Sequence, residues 1–547
     1  MTVAREEAVA AASRVVLLTL ASAQFLMTLD SSVMNVSIAT VAEDVGTTVT
    51  GIQTAITLYT LVMASLMITG GKIGEILGRK RAFALGSVIY GAGSFTTALA
   101  PNLAVLLLGW SLLEGIGAAL IMPASVALVA SNFGLEERPR AYGLVAAAGA
   151  IAVAVGPLIG GLLTTYASWR WVFAGEVLIV LVILALTKRM ADTPAQAGAR
   201  LDLVGTALSA IGLGLGVYGI LRAGTWGFVS PKPGQPSWLG LSPVVWFVLG
   251  GGAVLRGFVT WERHRLTEGR QVLIDPQLFK VPRLRAGLTS FLFQYLVQAG
   301  LFFVVPLFLS VSLGLSAVAT GIRIMPLSMT LLLAAIGIPK FFPTASPRRV
   351  VQLGFGSLLA GIVILIAALD VGVGPDVVTW PLLLAGLGIG ALASQLGSVT
   401  VSAVPDEQTG EVGGLQNTVT NLGASLGTAL AGAVLISALT ASFVTGITEN
   451  PKVPAQVSAT ASVELAGGAP FVPNDKLQAA LSSAGIDDGT AAAIVDENEG
   501  ARVDALRASL AVLAAIALLA LFFTRSLPQR QPADALVASS DDVAARE

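Results

Sequence analysis

The chain has 547 residues, of which 54% are hydrophobic and 12% charged. A soluble protein carries roughly twice that share of charge, and a mean hydropathy of +0.81 excludes a string of soluble domains; the material belongs in a bilayer. A net charge of −1 offers no field for nucleic acid, the absence of cysteine excludes disulfides and thiol chemistry, and a single histidine, His264, excludes a histidine-ligated zinc.

A membrane-spanning helix needs about 20 mostly apolar residues. In chain order such segments run over 14–40, 52–71, 82–100, 103–130, 141–163, 169–187 and 203–222. They continue over 241–261, 287–310, 316–338, 350–369, 379–403, 411–440 and 504–524, so that fourteen spans are predicted. The first is too long for a cleavable leader, holds Asp30 and lacks a small-residue cleavage site.

Lysine and arginine concentrate in the loops after even-numbered segments. Lys72, Arg79, Lys80 and Arg81 are followed by Arg138 and Arg140, by Lys188, Arg189 and Arg200, by the cluster from Arg263 to Arg285, and by Lys340, Arg348 and Arg349. Loops after odd-numbered segments hold few, such as Arg222 and Lys232. The positive-inside rule then puts the even loops and both termini in the cytoplasm of a multi-pass inner-membrane protein. Loop 404–410, with Asp406 and Glu407 but no cation, is the exception. The polar stretch 441–503 falls outside the membrane, with short helical patterns near 475–485 and 489–497. It reads as a solvated linker, or else as an external cap that docks a partner.

Three motifs sit at defined places on this frame. After the second segment comes Gly71-Lys72-Ile73-Gly74-Glu75-Ile76-Leu77-Gly78-Arg79-Lys80-Arg81, where glycines allow a tight turn and the cations suit lipid headgroups. The fifth segment carries Gly143, Gly149, Gly156-Pro157 and Gly160-Gly161, a bend flanked by positions of close helix approach. The first contains Leu29-Asp30-Ser31-Ser32-Val33-Met34-Asn35-Val36.

These residues resemble, respectively, the G-x-L-a-D-r-x-G-r-k motif of the major facilitator superfamily, the antiporter motif of its drug exporters, and the L-D-x-T-V-V-N-V-A signature of its fourteen-helix drug:proton antiporters. Glu75 and Ile76 replace the usual Asp and Arg, and Ala152 stands at the antiporter motif's middle glycine. Further matches are Ser168-Trp169-Arg170-Trp171, Asp202-Leu203-Val204-Gly205, Trp261-Glu262-Arg263, Ile274-Asp275-Pro276, Gly321 to Pro326, and Gly410-Glu411-Val412-Gly413-Gly414. The resemblance implies an all-α membrane protein with two six-helix bundles, at 14–190 and 284–525, and a linker at 191–283 holding helices 7 and 8. Residues 1–13 and 526–547 would then be cytoplasmic tails. It also implies gating at Gly71, Gly74, Glu75, Gly78 and Arg79, and at Gly156, Pro157, Gly160 and Gly161.

An acid in mid-helix costs roughly 2.5–3.5 kcal/mol on insertion scales, so intramembrane acids tend to be functional or paired. Asp30 is the first, Glu114 the second and Glu176 the third. Glu114 lies in Leu112-Leu113-Glu114-Gly115-Ile116-Gly117, where the family pattern is R-x-x-Q-G-x-G. Ser111 replaces the arginine to which the resemblance ascribes proton transfer, and an acid stands where glutamine is usual. A carboxyl group kept from water holds a proton and yields it when wetted. The three acids are therefore expected to face a cavity between the bundles and to bind protons, favouring cationic cargo. Gln24, Phe25, Gln53, Tyr59, Gln294, Gln298, Gln395, Gln416, Asn417 and Asn421 are candidates to line that cavity, each equally able to join helices by a hydrogen bond. Arg323 reads as structural and His264 as a solvated loop residue.

The expected function is proton-coupled export of amphipathic, cationic drugs by alternating access, by a monomer whose partners are cargo, protons and lipid, with 441–503 open to an external partner. Two alternatives are an exporter of a native lipid, siderophore or metabolite in the same fold, with or without proton coupling, and a receptor or scaffold that uses 441–503. No G-x-x-x-x-G-K-[ST] loop occurs, so ATP is not the energy source. Neither an enzyme nor a cofactor or metal is expected.

Overall fold

A computed structural model describes residues 2–133, 138–190, 200–404, 409–465 and 468–529. Asp406, Glu407, and the tail beyond 529 lie outside these residues, as do the side chains of Arg138, Arg140 and Gly143. Fourteen long helices follow one another. They are α1 (Thr2–Val36), α2 (Val49–Leu77), α3 (Arg79–Ala98), α4 (103–132), α5 (Arg138–Tyr166), α6 (Arg170–Thr187) and α7 (Leu203–Trp226). After them come α8 (Pro243–Thr267), α9 (Pro282–Leu307), α10 (Ala317–Phe341), α11 (Pro347–Ala368), α12 (Thr379–Val401), α13 (Thr409–Glu449) and α14 (Asp488–Phe523). Among the described residues no named strand occurs, only one isolated bridge between Trp238 and Leu241.

Twelve of these helices are long and apolar enough to cross a membrane, and α5, bent by 45° between Ala147–Val153 and Val155–Tyr166, makes a thirteenth. The remaining one, α3, opens on Arg79-Lys80-Arg81 and holds Gly, Ser and Thr, which dilute its hydropathy. It nevertheless buries Phe83, Tyr90, Ser94 and Thr97 inside the bundle. The difference from the expected fourteen spans is thus one of polarity rather than of position.

Helices α1 to α6 pack as one bundle and α9 to α14 as a second, while α2 meets α13 and α5 meets α10 across the divide. The hairpin of α7 and α8 lies outside both and touches α2 and α13 through α7. The fold therefore has two ends: a near end with the turn at Gly78, and a far end with the turns 45–48, 167–169 and 313–316.

At the far end the bundles are joined. Gln53 Nε2 donates to Thr428 O at 3.1 Å and to Ala429 O at 3.3 Å, and Ser425 Oγ donates to Thr57 O at 2.9 Å. Val318 N donates to Thr165 Oγ1 at 3.0 Å, and Ser328 Oγ to Val153 O at 3.0 Å. A Cβ on Gly321 would lie 2.1 Å from Pro157 O, so only glycine permits that approach of α10 to α5.

Stretch 441–503 is folded rather than a loose linker. Helix α13 runs on to Glu449, the short helices Ala455–Glu464 and Asn474–Ser483 follow, and the pattern near 489–497 is the first part of α14, which begins at Asp488 rather than 504. Arg502 is buried and donates to Val472 O at 2.8 Å and to Asn474 Oδ1, which fastens the stretch to α14. Lys476 also reaches Glu43 of the opposite bundle at 3.1 Å.

Candidate functional site: a buried carboxyl cluster

Helix α4 is not α-helical throughout. Leu107–Glu114 forms a π-helical stretch, in which each hydrogen bond spans one residue more than usual, and such stretches are frequent at functional sites. It contains Trp110, Ser111 and Glu114, all buried. Trp110 Nε1 donates to Asp30 Oδ1 at 2.7 Å and to Oδ2 at 2.8 Å, a charge-assisted contact from α4 to α1. Tyr90 of α3 donates its hydroxyl to Asp30 Oδ2 at 3.4 Å.

The other two acids complete the cluster. Thr97 Oγ1 lies 3.2 Å from Glu114 Oε1, and Ser94 Oγ lies 3.1 Å from Glu176 Oε2. One carboxylate oxygen from each of Asp30, Glu114 and Glu176 lies within 4.8 Å of the others, and all three residues are buried. Glu114 Oε2 and Glu176 Oε1 have no hydrogen-bond partner. Among the described residues no lysine or arginine pairs with any of the three. Buried acids without a cation are costly, and such a set can bind and exchange protons. Three carboxylates are also hard oxygen ligands of the kind that suit a hard cation.

The expectation that the three acids face a cavity between the bundles is corrected. Their hydrogen-bond partners all come from α3 and α4 of their own bundle, and Tyr59 stacks on Trp110 with ring centroids 5.0 Å apart. Ser111, at the family's arginine position, donates its hydroxyl to Ala55 O at 2.8 Å.

The candidate lining residues divide. Gln53 joins the bundles through its amide and Tyr59 is packed on Trp110, so neither side chain is open to cargo. Gln24 donates to Thr28 Oγ1 at 3.2 Å beside Gly149, and Phe25 packs on the Leu29, Val33, Ala152 and Val172 group. Asn421 donates to Asn417 O at 2.8 Å, and Gln395 to Ser394 Oγ at 3.4 Å. Gln294 and Gln298 each carry a buried Oε1 without a partner, and Gln416 is half-buried on α13.

In the turn between α2 and α3, Gly78 has φ +95°, a conformation that favours glycine. Arg79 folds back to donate to Gly71 O at 2.8 Å and pairs with Glu75 at 3.3 Å, while Lys72 pairs with Glu75 at 2.8 Å. A side chain on Gly74 would meet the Arg79 guanidinium, not the opposite bundle. On α5, Gly156 and Gly160 abut Ser32 and Val33 of α1, whereas Pro157 and Gly161 abut α10. Arg323 pairs with Asp376, and the exposed His264 pairs with Glu268 at 3.1 Å.

Tyr90, Ser94, Thr97 and Trp110 escaped the sequence reading. The signal was present: Tyr90, Ser94 and Thr97 stand at i, i+4 and i+7 on a helix, one face of polar groups.

Two helical bundles joined across a divide, with a polar cluster in the bilayer-spanning part of one of them, define a membrane transporter rather than an enzyme. The chain belongs to the Major Facilitator Superfamily, which it matches over residues 20–428. It is 31% identical over 437 residues to the puromycin resistance protein of Streptomyces alboniger, covering 78% of this chain and 82% of that one. It is 28% identical to the probable actinorhodin transporter of Streptomyces coelicolor, covering 76% and 71%. To the tetracenomycin C resistance and export protein of Streptomyces glaucescens it is 27% identical, covering 77% and 76%. Among solved structures, a bacterial homologue of the human lysosomal transporter Spinster, inward-facing and unoccupied, shares the fold at a TM-score of 0.59 and 17% identity, covering 94% and 98%.

Proposed function

We propose that this transporter exports amphipathic, cationic small molecules by alternating access, driven by protons moving the other way. The observation that carries the proposal is the cluster of Asp30, Glu114 and Glu176, three carboxyl groups with two unpartnered oxygens and no fixed cation. The names of the relatives support resistance and export as its purpose. The loop cations support a cell-membrane protein with cytoplasmic termini, so that the near end faces the cytoplasm and the joined far end faces outward. In that frame the bundles are 14–190 and 284–525, joined by the linker 191–283, and the described state is the one closed at the far end.

The cluster lies behind Tyr59 and Trp110. Cargo in the inter-bundle space then acts on it through the packing of α1, α2 and α4 rather than by direct contact. Protons enter from outside, bind the carboxyl groups and leave inward as cargo is taken up. Gln298, Gln416 and Asn417, all half-buried, are the candidates left to meet cargo, with Gln294 buried beside them. The cap 441–503 closes over the far end.

The test is uptake of puromycin and of ethidium into inside-out vesicles under an imposed proton gradient. Uptake that collapses with a protonophore supports the reading. Uptake driven by a sodium gradient alone would reassign the coupling ion to a cation held by the same carboxylates, and absence of both would remove the assignment. A second reading, export of compounds like actinorhodin or tetracenomycin C rather than cationic drugs, is favoured by two relatives named for them. It predicts that tetracenomycin C outcompetes ethidium in the same vesicles.

A further inference from the structure

Four of the sequence motifs have no part in the carboxyl cluster, yet the fold brings them to one place at the near end. Asp202 caps α7 by accepting from Gly205 N at 3.0 Å, and it also accepts from Trp261 Nε1 at 2.9 Å and pairs with Arg265 at 3.2 Å. Glu262 of α8 is buried and accepts from Leu273 N at 2.9 Å. Two residues on, Asp275 N donates to Glu411 Oε1 at the start of α13. Around these bonds Phe258 of α8, Leu273, Ile274 and Leu278 form one buried apolar group with Leu284 and Leu288 of α9 and Val412 and Leu415 of α13, while the first bundle adds the partly buried Ile68 of α2 at its edge.

The turn after the hairpin is thus fixed to the second bundle by one hydrogen bond, Asp275 N to Glu411, and chiefly by apolar packing. The hairpin is packed at its other end too, where Gly224 of α7 sits against the Ala433 backbone of α13, so close that an added Cβ would lie 3.0 Å from Ala433 Cα and O. Toward the first bundle, the direct hydrogen bond from α7 is a single hydroxyl pair, Thr69 to Thr206 at 3.2 Å. A hydrogen bond to a carboxylate contributes more than a neutral hydroxyl pair, and close backbone approach at small residues adds packing to it.

We propose that α7 and α8 are carried by the second bundle as part of one body, and that the moving seam runs between α7 and α2. Glu262 and Glu411 are the positioning residues: they hold the 273–275 turn, and through it the hairpin, to α9 and α13. The proposal rests on the alternating-access reading for its motion, but its test needs no transport.

The chain has no cysteine, so spin labels can be placed in pairs at will. The exposed positions Leu85 on α3, His264 on α8 and Leu353 on α11 serve. Distances are measured by pulsed electron resonance on full-length protein in lipid nanodiscs, at pH 5.5 and at pH 8.5 with puromycin. The α8–α11 distance should stay fixed, while α3–α8 and α3–α11 change together by about 5 Å, on the scale of one helical turn. If α8 instead keeps its distance to α3, or if all three distances stay fixed, the inference is overturned. Glu411→Ala should broaden the α8–α11 distribution. Glu411→Gln, which keeps the acceptor for Asp275 N, should not; equal widths in both variants also count against the clamp. A disulfide between Thr69→Cys and Thr206→Cys should freeze all three distances, reversibly with reductant. Failure of vesicle uptake with the label distances as expected would sink the functional reading and leave this one intact.

Discussion

At the residue scale, the identity of the groups around Asp30 matters more than their polarity. Trp110 gives one N–H to both oxygens of the Asp30 carboxylate, and its ring supports Tyr59. Trp110→Phe keeps the ring but removes the donor, and a hydrogen bond to a charged group contributes about 1.5–3 kcal/mol. The variant should unfold at a lower temperature in detergent and lose proton-driven uptake; wild-type values of both would show that the indole N–H does not hold Asp30. Asp30→Asn and Glu114→Gln should each abolish proton-driven uptake while the purified protein elutes and melts like wild type. Proton release on adding puromycin, read with a pH indicator, separates a coupling role from a structural one, because only the former moves it.

At the element scale, the bend of α5 and the small residues of α10 form the joint between the bundles. Any side chain on Gly321 must displace the Pro157 carbonyl, so Gly321→Leu should push α10 from α5 and reduce uptake at least tenfold with normal membrane insertion. Overpacking of this kind costs roughly 1–3 kcal/mol. Pro157→Leu should impair uptake through the lost bend, and unimpaired uptake would leave that proline a packing residue only. The helices themselves were legible because long apolar segments need no tertiary context: the starts of α7 at 203 and of α12 at 379 agree with the sequence reading. The helical pattern near 489–497 was legible, but its continuity with the last helix, expected to start at 504, was not, because the polar residues up to 503 are buried there through Asn498 and Arg502. The three acids and their convergence were legible, whereas their place inside one bundle was not. It goes with the π-helical turn that carries Glu114, of which hydropathy has no trace.

At the scale of the whole molecule, the two bundles and the hairpin are three parts with unequal joints. The family and the architecture could be read from motifs spaced along the chain. What the motifs at 202–205, 261–263, 274–276 and 410–414 do for one another could not be read, because residues two hundred positions apart meet only in the fold.

The far-end joint also sets a population. Among the described residues, four side chains, Gln53, Ser425, Thr165 and Ser328, make the hydrogen bonds that cross it there, beside the exposed Lys476–Glu43 ion pair. At about 1 kcal/mol net for each such group, opening the far end costs on the order of 4 kcal/mol. By that figure the form open at the far end occupies about 0.1% of unliganded molecules. Ligands therefore have to bind that rare form roughly a thousandfold more tightly than the common one before the two are equally occupied. Ser425→Ala, which removes one of the four, should raise the rare fraction about fivefold in spin-label distances, and so lower the ligand discrimination that turnover demands.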